Sequence, residues 1–132
     1  MRKKATPAGY LLDTHALLWW LSDPKELSKP ARLAITEGGN QVYLSSAAVW
    51  EMAIKKRLGR LDFPTNLDEV LQKDHIEILS IGIEHALGVA DLPMHHQDPF
   101  DRMMVSQAKH ENLVLVTRDK IIPKYDVQVL KA

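Results

Sequence analysis

Two short apolar segments, far apart in the sequence, each lead into an aspartate. The first ends at Asp13, which is followed by Thr14, and the second covers residues 113–117 and leads to Asp119. Segments this short and this apolar predict strands of a parallel sheet that is covered on both faces. The carboxyl ends of such strands form the edge at which open α/β sheets bind ligands. The two aspartates therefore predict one shared anionic site at that edge.

Two further acidic residues have a structural reason to join this site. Glu51 lies early in the helix predicted after the second strand, and Asp101 lies in the first turn of the helix that leads into the fourth strand. Two carboxylates about 4 Å apart repel by roughly 4 kcal/mol at an effective dielectric constant near 20, so a cluster of four is unfavourable without a cation. Mg²⁺ prefers oxygen ligands, and a bound divalent ion lowers the pKa of water and stabilises charge on a phosphodiester. The four acids therefore predict metal-dependent phosphodiester chemistry.

The same acids also have a purely structural interpretation. Acidic residues such as Asp98 and Asp101 are favoured at the N-terminus of a helix by the helix dipole, whatever the function of the protein. Aspartates such as Asp13 and Asp119 are also common as ordinary turn residues. Placement and residue type alone therefore leave a metal site and a structural role equally open.

The spacing of apolar residues predicts alternating strands and helices along the chain. The predicted strands cover residues 10–12, 41–45, 76–79, 113–117 and 127–130. The predicted helices cover residues 15–21, 28–38, 45–58, 66–73, 83–90 and 98–112. Alternation of this kind implies right-handed crossover connections and a parallel sheet. We therefore predict one domain over residues 1–132, a three-layer α/β/α sandwich with a parallel sheet of four or five strands, in which residues 1–8 are flexible.

The composition excludes several other kinds of site. The chain of 132 residues contains no cysteine, so disulfides, thiolate catalysis and cysteine-based zinc or iron–sulfur sites are excluded. Seventeen basic residues balance 17 acidic ones, which removes net charge as an argument for nucleic-acid binding but leaves room for a local basic patch. No apolar stretch approaches the roughly 20 residues that cross a bilayer, and the segment that contains Pro7 and Gly9 is a poor secretory signal. We therefore expect a cytoplasmic protein with no membrane association.

Four sequence blocks carry more information than their spacing alone. They are Leu12-Asp13-Thr14-His15, the segment SSAAVWE at 45–51, the segment HQDPFDR at 96–102, and Val116-Thr117-Arg118-Asp119. In this order the blocks resemble the PIN-domain nucleases and, among them, the VapC-type toxins of bacterial type II toxin–antitoxin pairs. The resemblance extends from about residue 9 to the end of the chain, and the long Asp-Pro-Phe-Asp-Arg block makes it specific.

The resemblance implies a fold, an activity and partners. The implied strand order is 3-2-1-4-5, and the implied activity is cleavage of RNA phosphodiesters by metal-activated water, with Mg²⁺ or Mn²⁺ as the ion. A small cognate antitoxin and a second copy of the chain are the implied protein partners. The predicted helix at 15–21 is apolar nearly all round, so part of it is expected in the core and the remainder on a dimer or antitoxin surface.

The resemblance also assigns roles to individual residues. The acidic quartet that it implies consists of Asp13, Glu51, Asp101 and Asp119. The three aspartates are the metal positions, and Glu51 is assigned to a second ion or to the attacking water, with one or two metals left open. Three supporting residues are implied beside them: Thr117 as a water or metal contact, Asp98 as a second acid or a helix cap, and Thr14.

Basic residues near the acids have two interpretations each. Lys55, Lys56, Arg57 and Arg60 form the densest basic cluster, which suits an RNA backbone. The helix dipole favours the same residues at a helix C-terminus, and Glu51 with Lys55 makes a stabilising i,i+4 pair. Arg118 is a further candidate for RNA contact, and for both Arg102 and Arg118 binding a phosphate and holding a carboxylate remain open.

The histidines are expected to have structural roles. Adjacent residues such as His95 and His96 rarely bind one ion together, and the remaining ligands of a tetrahedral site are missing, so we expect a loop or packing role for them. His15 is likewise expected to cap a helix or to pack rather than to contact substrate.

Two alternatives to a toxin ribonuclease remain. The first is a PIN-domain nuclease that processes RNA without an antitoxin. The second is an Mg²⁺-binding phospho-acceptor signalling domain, for which Lys131 after the fifth strand fits but Ser80 after the third does not. Dinucleotide and P-loop sites are disfavoured because neither glycine pattern is present.

Overall fold

The order of the strands brings distant segments of the chain side by side. The computed structural model describes residues 6–132. Its five strands are β1 Gly9–Leu12, β2 Val42–Ser45, β3 Ile76–Leu79, β4 Leu113–Thr117 and β5 Val129–Lys131. Its helices are α1 Thr14–Ser22, α2 Lys29–Thr36, α3 Ser46–Arg57, α4 Leu67–Lys73, α5 Ile83–Gly88 and α6 Pro99–Glu111, with 3-10 turns at Pro24–Glu26, Val89–Asp91 and Ile122–Lys124.

All strands pair in parallel, in the order β3-β2-β1-β4-β5. The structure thereby confirms the α/β class, the parallel sheet and the predicted strand order, with five strands rather than four. The chain builds the sheet outward from β1 in one direction through β3 and then returns to add β4 on the other side of β1. The reversal of direction between β1 and β4 is the topological switch point at which α/β sheets bind ligands.

The core follows the apolar runs of the central strands. Leu11 and Leu12 of β1, Leu44 of β2, and Leu115 and Val116 of β4 are fully buried. Consecutive residues are buried because helices cover both faces of the sheet, so there is no solvent-facing side on which alternate residues could be polar. The continuous apolar pattern that predicted these strands is therefore a direct result of their burial.

Helix ends are marked by the residues that the sequence suggests. Ser28 caps α2 by accepting a hydrogen bond from the backbone N–H of Ala31 at 3.2 Å, and Ser45 caps α3 in the same way. Asn112 ends α6 in the left-handed conformation at φ 54°, where asparagine is tolerated and a β-branched residue is not.

Several boundaries differ from the predicted ones by one or two residues, and two of these differences have a visible cause. The fifth strand begins at residue 129 rather than 127, because the N–H of Val127 bonds the carbonyl of Tyr125 in a tight turn. The helix predicted at 83–90 ends at Gly88 and continues as a 3-10 turn. A Cβ atom at Gly88 would lie 2.5 Å from His110 of α6, so glycine allows α5 to approach α6 closely.

The N-terminal segment is held by the residue that ends α6. The N–H of Ala8 donates to the Asn112 carbonyl at 2.8 Å, and the Asn112 amide donates to the Thr6 carbonyl at 2.8 Å. Residues 1–5, on which most of the expected flexible segment falls, lie outside the described residues. None of the helices in the described range is long and apolar enough to cross a membrane.

Arg102 fastens the irregular segment at 89–97 to α6. Its buried guanidinium donates to the carbonyl of Pro93 at 2.9 Å and to that of Val89 at 3.1 Å. It also bonds the Tyr125 hydroxyl at 3.2 Å. The sequence left two roles open for Arg102, phosphate binding and holding a carboxylate. These contacts correspond to neither role, because the guanidinium instead bonds backbone carbonyls of the segment at 89–97.

Replacing Arg102 with lysine should therefore destabilise the fold. A lysine ammonium cannot reach carbonyls on several sides, so we expect the free energy of unfolding to fall by about 2–3 kcal/mol, the cost of leaving buried acceptors unpaired. Urea denaturation measures this loss, and Arg57→Lys on the exposed end of α3 is the control. Equal midpoints for the two variants would contradict this account of Arg102.

Candidate metal centre

A pocket opens at the ends of β1 and β4, and acidic side chains from four parts of the chain line it. Asp13 follows β1, Glu51 lies on α3, Asp101 lies on α6 and Asp119 follows β4, and all four line this pocket. The structure thus brings the acids of the predicted quartet to the edge of the sheet on which the sequence argument placed them. Each is held there by a different local feature.

Asp13 is fixed by hydrogen bonds to both of its carboxylate oxygens. Oδ1 accepts from the N–H of Ala16 at 2.7 Å and so caps α1, while Oδ2 accepts from the Thr117 hydroxyl at 2.6 Å. The pairing of Leu12 with Val116 puts the next residue of each strand at the same level. Burial raises the pKa of Asp13, although the hydrogen bonds from Thr117 and Ala16 act in the opposite direction.

Asp119 occupies the turn after β4. Oδ1 accepts from the backbone N–H of Ile121 at 2.7 Å and of Ile122 at 3.0 Å, and the N–H of Asp119 donates to the Thr117 hydroxyl. Oδ2 lies 3.0 Å from His96 Nε2. Burial acts to raise the pKa of Asp119, but the hydrogen bonds from His96, Ile122 and Ile121 outweigh it and lower this pKa.

For Asp101 the effects that raise the pKa outweigh those that lower it. Burial raises its pKa to about 7, and the negative charges of Asp98, Asp119 and Asp13 add to the effect, against an opposing contribution from His96. Asp98 itself is the N-cap of α6, since its carboxylate accepts from the N–H of Phe100 at 2.8 Å and of Asp101 at 3.2 Å. Asp98 therefore orients the first turn that carries Asp101.

His96 is the residue that the sequence argument missed. The expected loop role describes its backbone, but its imidazole lies between two acids, with Nε2 at 3.1 Å from Asp101 Oδ2 and 3.0 Å from Asp119 Oδ2. Nδ1 accepts the N–H of Asp98 at 3.1 Å, so in the neutral ring the hydrogen is on Nε2 and points at the carboxylates. The available signal was its spacing, two residues before the helix cap and five before Asp101.

The tautomer decides what His96 does in the cluster. A histidine that binds a metal normally donates a hydrogen bond from its other ring nitrogen, whereas His96 accepts one there. His96 is therefore a hydrogen-bond donor to Asp119 in this arrangement, and Asp101 Oδ2 lies 3.1 Å from the same nitrogen. The ligand atoms that remain for a cation are carboxylate oxygens, which suit a hard divalent ion such as Mg²⁺ or Mn²⁺. The negative charges of Asp98, Asp119 and Asp13 contribute to the raised pKa of Asp101. Carboxylates crowded in this way favour the binding of a cation.

A second group of candidate ligands consists of Glu84, His85 and Glu111, and the tautomer of its histidine also excludes a metal ligand. His85 Nε2 is buried without a hydrogen-bond partner, at 3.7 Å from the Glu84 carboxylate and 3.6 Å from that of Glu111. His85 Nδ1, however, accepts the N–H of Gly82 at 2.9 Å. Nε2 therefore carries the hydrogen of the neutral ring and offers no lone pair to a metal.

Glu51 is paired on both of its oxygens. Oε1 accepts from the Thr14 hydroxyl at 2.6 Å, and Oε2 accepts from the Lys55 ammonium at 2.7 Å. The predicted i,i+4 pair on α3 is thus present, and Thr14 supports Glu51 rather than one of the aspartates. Glu51 is buried, so this pair lies inside the pocket wall and not on the open surface.

The basic residues divide into two groups. Lys55 lines the acidic pocket, whereas the ammonium of Lys56 bonds the carbonyl of Phe63 at 3.1 Å and lies 3.3 Å from Asp62. Arg57 and Arg60 are exposed at the end of α3 and do not line this pocket. Of the four residues of this cluster, Lys55 lines the pocket, and contact of the cluster with RNA stays a prediction.

Arg118 and His15 flank the pocket on the side of α1. The Arg118 guanidinium bonds the carbonyls of Ala132 and Glu26 and lies 4.2 Å from the centre of the Trp19 ring. The His15 ring packs against the same tryptophan at 5.8 Å between ring centres. The expected packing role of His15 agrees with this contact. Arg118 joins the end of β4 to the C-terminal residue and lies 4.0 Å from the Glu26 carboxylate, which does not line the pocket.

The raised pKa of Asp101 makes the stability of the protein depend on pH. With a pKa of about 7 in the folded state against 3.8 for an ordinary aspartate, the folded state holds more protons than the unfolded state between these values. Stability therefore falls as pH rises through this range. We expect Asp101→Asn to gain about 1–2 kcal/mol of unfolding free energy over the wild type on going from pH 5 to pH 8, when divalent ions are chelated.

Urea denaturation at the two pH values measures this difference. Asp68→Asn, an exposed acid on α4 outside the pocket, is the control and should show no such change. An Asp101→Asn difference that is the same at both pH values would show that the carboxylate is not destabilised by its surroundings.

Comparisons with known proteins agree with the fold. The sequence pattern of the PIN domain family matches residues 10–128. Ribonuclease VapC22 of Mycobacterium tuberculosis is 28% identical over 113 residues, which is 83% of this chain and 86% of that protein.

Two solved structures share the fold. A VapBC2 complex from Rickettsia felis, bound to a DNA fragment from its promoter, superposes with a TM-score of 0.70 at 17% identity and covers 92% of this chain and 96% of the matched one. A toxin–antitoxin complex from Klebsiella pneumoniae has a TM-score of 0.65 at 19% identity and covers 93% and 97%. Since the family pattern covers nearly the whole described chain, this chain belongs to the PIN domain family.

Proposed function

We propose that this protein is a divalent-metal-dependent endoribonuclease and the toxin of a type II toxin–antitoxin pair. The observation that carries the proposal is the cluster of Asp13, Asp101 and Asp119 at the switch point of a PIN-domain sheet. The similarity to a protein named as a ribonuclease supports the reaction, and the structural similarity to two toxin–antitoxin complexes supports the biological class.

In this proposal the three aspartates hold Mg²⁺ or Mn²⁺. A bound ion of this kind lowers the pKa of a water ligand and offsets charge on a phosphodiester. Thr117 orients Asp13, the backbone N–H groups of Ile121 and Ile122 fix Asp119, and the cap at Asp98 sets the direction of the helix turn that carries Asp101. The side chains are thus held before any ligand binds, which reduces the ordering that binding requires.

The proposed partners are an RNA strand, a small antitoxin and a second copy of the chain, and the proposed place of action is the cytoplasm. Large apolar side chains are exposed on α3 at Trp50, Ile54 and Leu58, four residues apart, with exposed fractions of 62%, 39% and 60%. An apolar stripe of this kind supports a protein partner on that face. The apolar side chains of α1, in contrast, are buried or half-buried.

Asp13→Asn tests the reaction. Asparagine can cap α1 as well as aspartate does, so we expect the fold and its melting temperature to be retained. Removal of one carboxylate charge should lower metal-dependent cleavage of single-stranded RNA by about 100-fold or more. EDTA should abolish wild-type cleavage, and Mg²⁺ or Mn²⁺ should restore it.

Asp68→Asn again serves as the control and should cleave as the wild type does. A folded Asp13→Asn variant with full activity would remove Asp13 from the site. Cleavage that persists in EDTA would overturn the metal-dependent reaction.

Expression in a bacterial host tests the toxin assignment. We expect the wild-type protein to arrest growth, Asp13→Asn to have no effect, and a small protein encoded directly upstream to relieve the arrest when it is co-expressed. Growth rate and RNA integrity are the measurements. Active RNA cleavage in vitro without growth arrest would instead favour an RNA-processing nuclease that has no antitoxin.

A further inference from the structure

Glu51 differs from the three aspartates in being neutralised by a neighbour. Its two oxygens accept from the Thr14 hydroxyl at 2.6 Å and from the Lys55 ammonium at 2.7 Å. Among the described residues, no lysine or arginine forms an ion pair with Asp13, Asp101 or Asp119, and the Asp101 carboxylate instead lies 3.1 Å from His96 Nε2. The pocket therefore has an anionic half, formed by the aspartates, and a half in which negative and positive charge are balanced.

The Lys55 ammonium retains hydrogen-bond donors that its partner does not use. An ammonium group has three donors, and the contact with Glu51 uses one of them. The Lys55 side chain is 35% exposed while that of Glu51 is 8% exposed. The Glu51 carboxylate thus lies within the wall of the pocket and anchors the Lys55 side chain, and the Lys55 ammonium presents its positive charge to a ligand that enters the pocket.

Other cationic groups near the site are engaged in contacts of their own. Among the described residues, the Arg118 guanidinium bonds the carbonyls of Ala132 and Glu26, and Lys56 reaches away to Phe63. The Nε2–H of His96 points at two aspartates. Lys55 is accordingly the lysine that combines a fixed position in the pocket with donors available to a ligand.

We propose that Lys55 binds a non-bridging oxygen of the RNA phosphate that enters the acidic pocket, and that Glu51 is its positioning residue rather than a metal ligand. An anionic phosphate approaching several carboxylates meets repulsion, which a neighbouring ammonium offsets. A lysine on a flexible stem needs such an anchor to hold one position. The proposal rests on the proposed ribonuclease function and adds the group that receives the substrate.

Binding of Mn²⁺ alone separates the two roles of Glu51. Electron paramagnetic resonance measures free Mn²⁺ without any need for cleavage. We expect Glu51→Gln to bind Mn²⁺ within about twofold of the wild type and Asp13→Asn to bind it at least about tenfold more weakly. A tenfold loss of Mn²⁺ affinity in Glu51→Gln would make Glu51 a metal ligand and overturn the assignment.

Cleavage and binding of a short single-stranded RNA test Lys55. Loss of one hydrogen bond from a charged donor corresponds to about 10- to 100-fold, so we expect kcat/KM of Lys55→Met to fall by about that factor. Mn²⁺ affinity should stay within about twofold, and Lys55→Arg should retain most of the activity. Lys73→Met, at an exposed lysine on α4 outside the pocket, is the control and should cleave like the wild type.

A double variant keeps the proposal falsifiable if Lys55→Met folds poorly because Glu51 is left unpaired in the pocket wall. The double variant Glu51→Gln, Lys55→Met removes both charges together and should fold. If Glu51 acts through Lys55, the double variant should be no less active than Lys55→Met alone. Additive losses of kcat/KM from the two substitutions would overturn the inference. Wild-type cleavage by a folded Lys55→Met or by the double variant would also overturn it. In either case an inactive Asp13→Asn leaves the proposed function intact. A wild-type protein that cleaves no RNA with either metal would overturn both.

Discussion

The parallel pairing of β1 with β4 is the interaction on which the site depends. It places the first residue after β1 level with the last residue of β4, so that the Thr117 hydroxyl meets the Asp13 carboxylate across the strand ends. The same hydroxyl accepts the N–H of Asp119. One threonine therefore joins two acids that are 106 positions apart in the printed sequence. A shift of one residue in this register would turn these side chains to opposite faces of the sheet.

The acids are held by neutral donors rather than by cations. Asp13 and Asp98 cap helices, Asp119 accepts two backbone N–H groups in the turn after β4, and the imidazole that bonds Asp119 lies 3.1 Å from Asp101. Neutral donors fix the direction of a carboxylate without cancelling its charge, which preserves its attraction for a metal ion. Glu51 is the exception, because Lys55 balances its charge, and this contrast separates a metal-binding half of the proposed ribonuclease site from a substrate-binding half.

The sequence was sufficient for the fold and for the acids, but not for their partners. The run at 113–117 is observed with its predicted bounds, because it is a central strand that is covered on both faces. The edge strand at 76–79 also has its predicted bounds, although it is partly exposed and contains Glu77. The acids could be predicted since a strand end or a helix start places a side chain whatever the tertiary packing is. The direction of a long side chain depends on neighbours distant in sequence.

Lys55 and Lys56 show this limit in part. The i,i+4 spacing predicts that Lys55 pairs with Glu51, but the contact of Lys56 with the Phe63 carbonyl is visible only in the packed structure. His96 lies in a segment without regular structure, where no periodicity predicts a direction. Its imidazole reaches the cluster because Arg102 fastens the preceding segment to α6. The sequence shows His96 and Arg102 but not the contacts that they make with the rest of the chain.

The guanidinium of Arg102 also has a consequence for the electrostatics of the neighbouring acid. Arg102 follows Asp101 directly, yet its donors are directed to backbone carbonyls and to the Tyr125 hydroxyl. If the Arg102 guanidinium were free to turn toward Asp101, it would occupy the position of the metal ion in the proposed site. By binding this arginine in a shell of carbonyl oxygens, the fold removes an internal competitor, and the affinity of the acids stays available to an ion from solution.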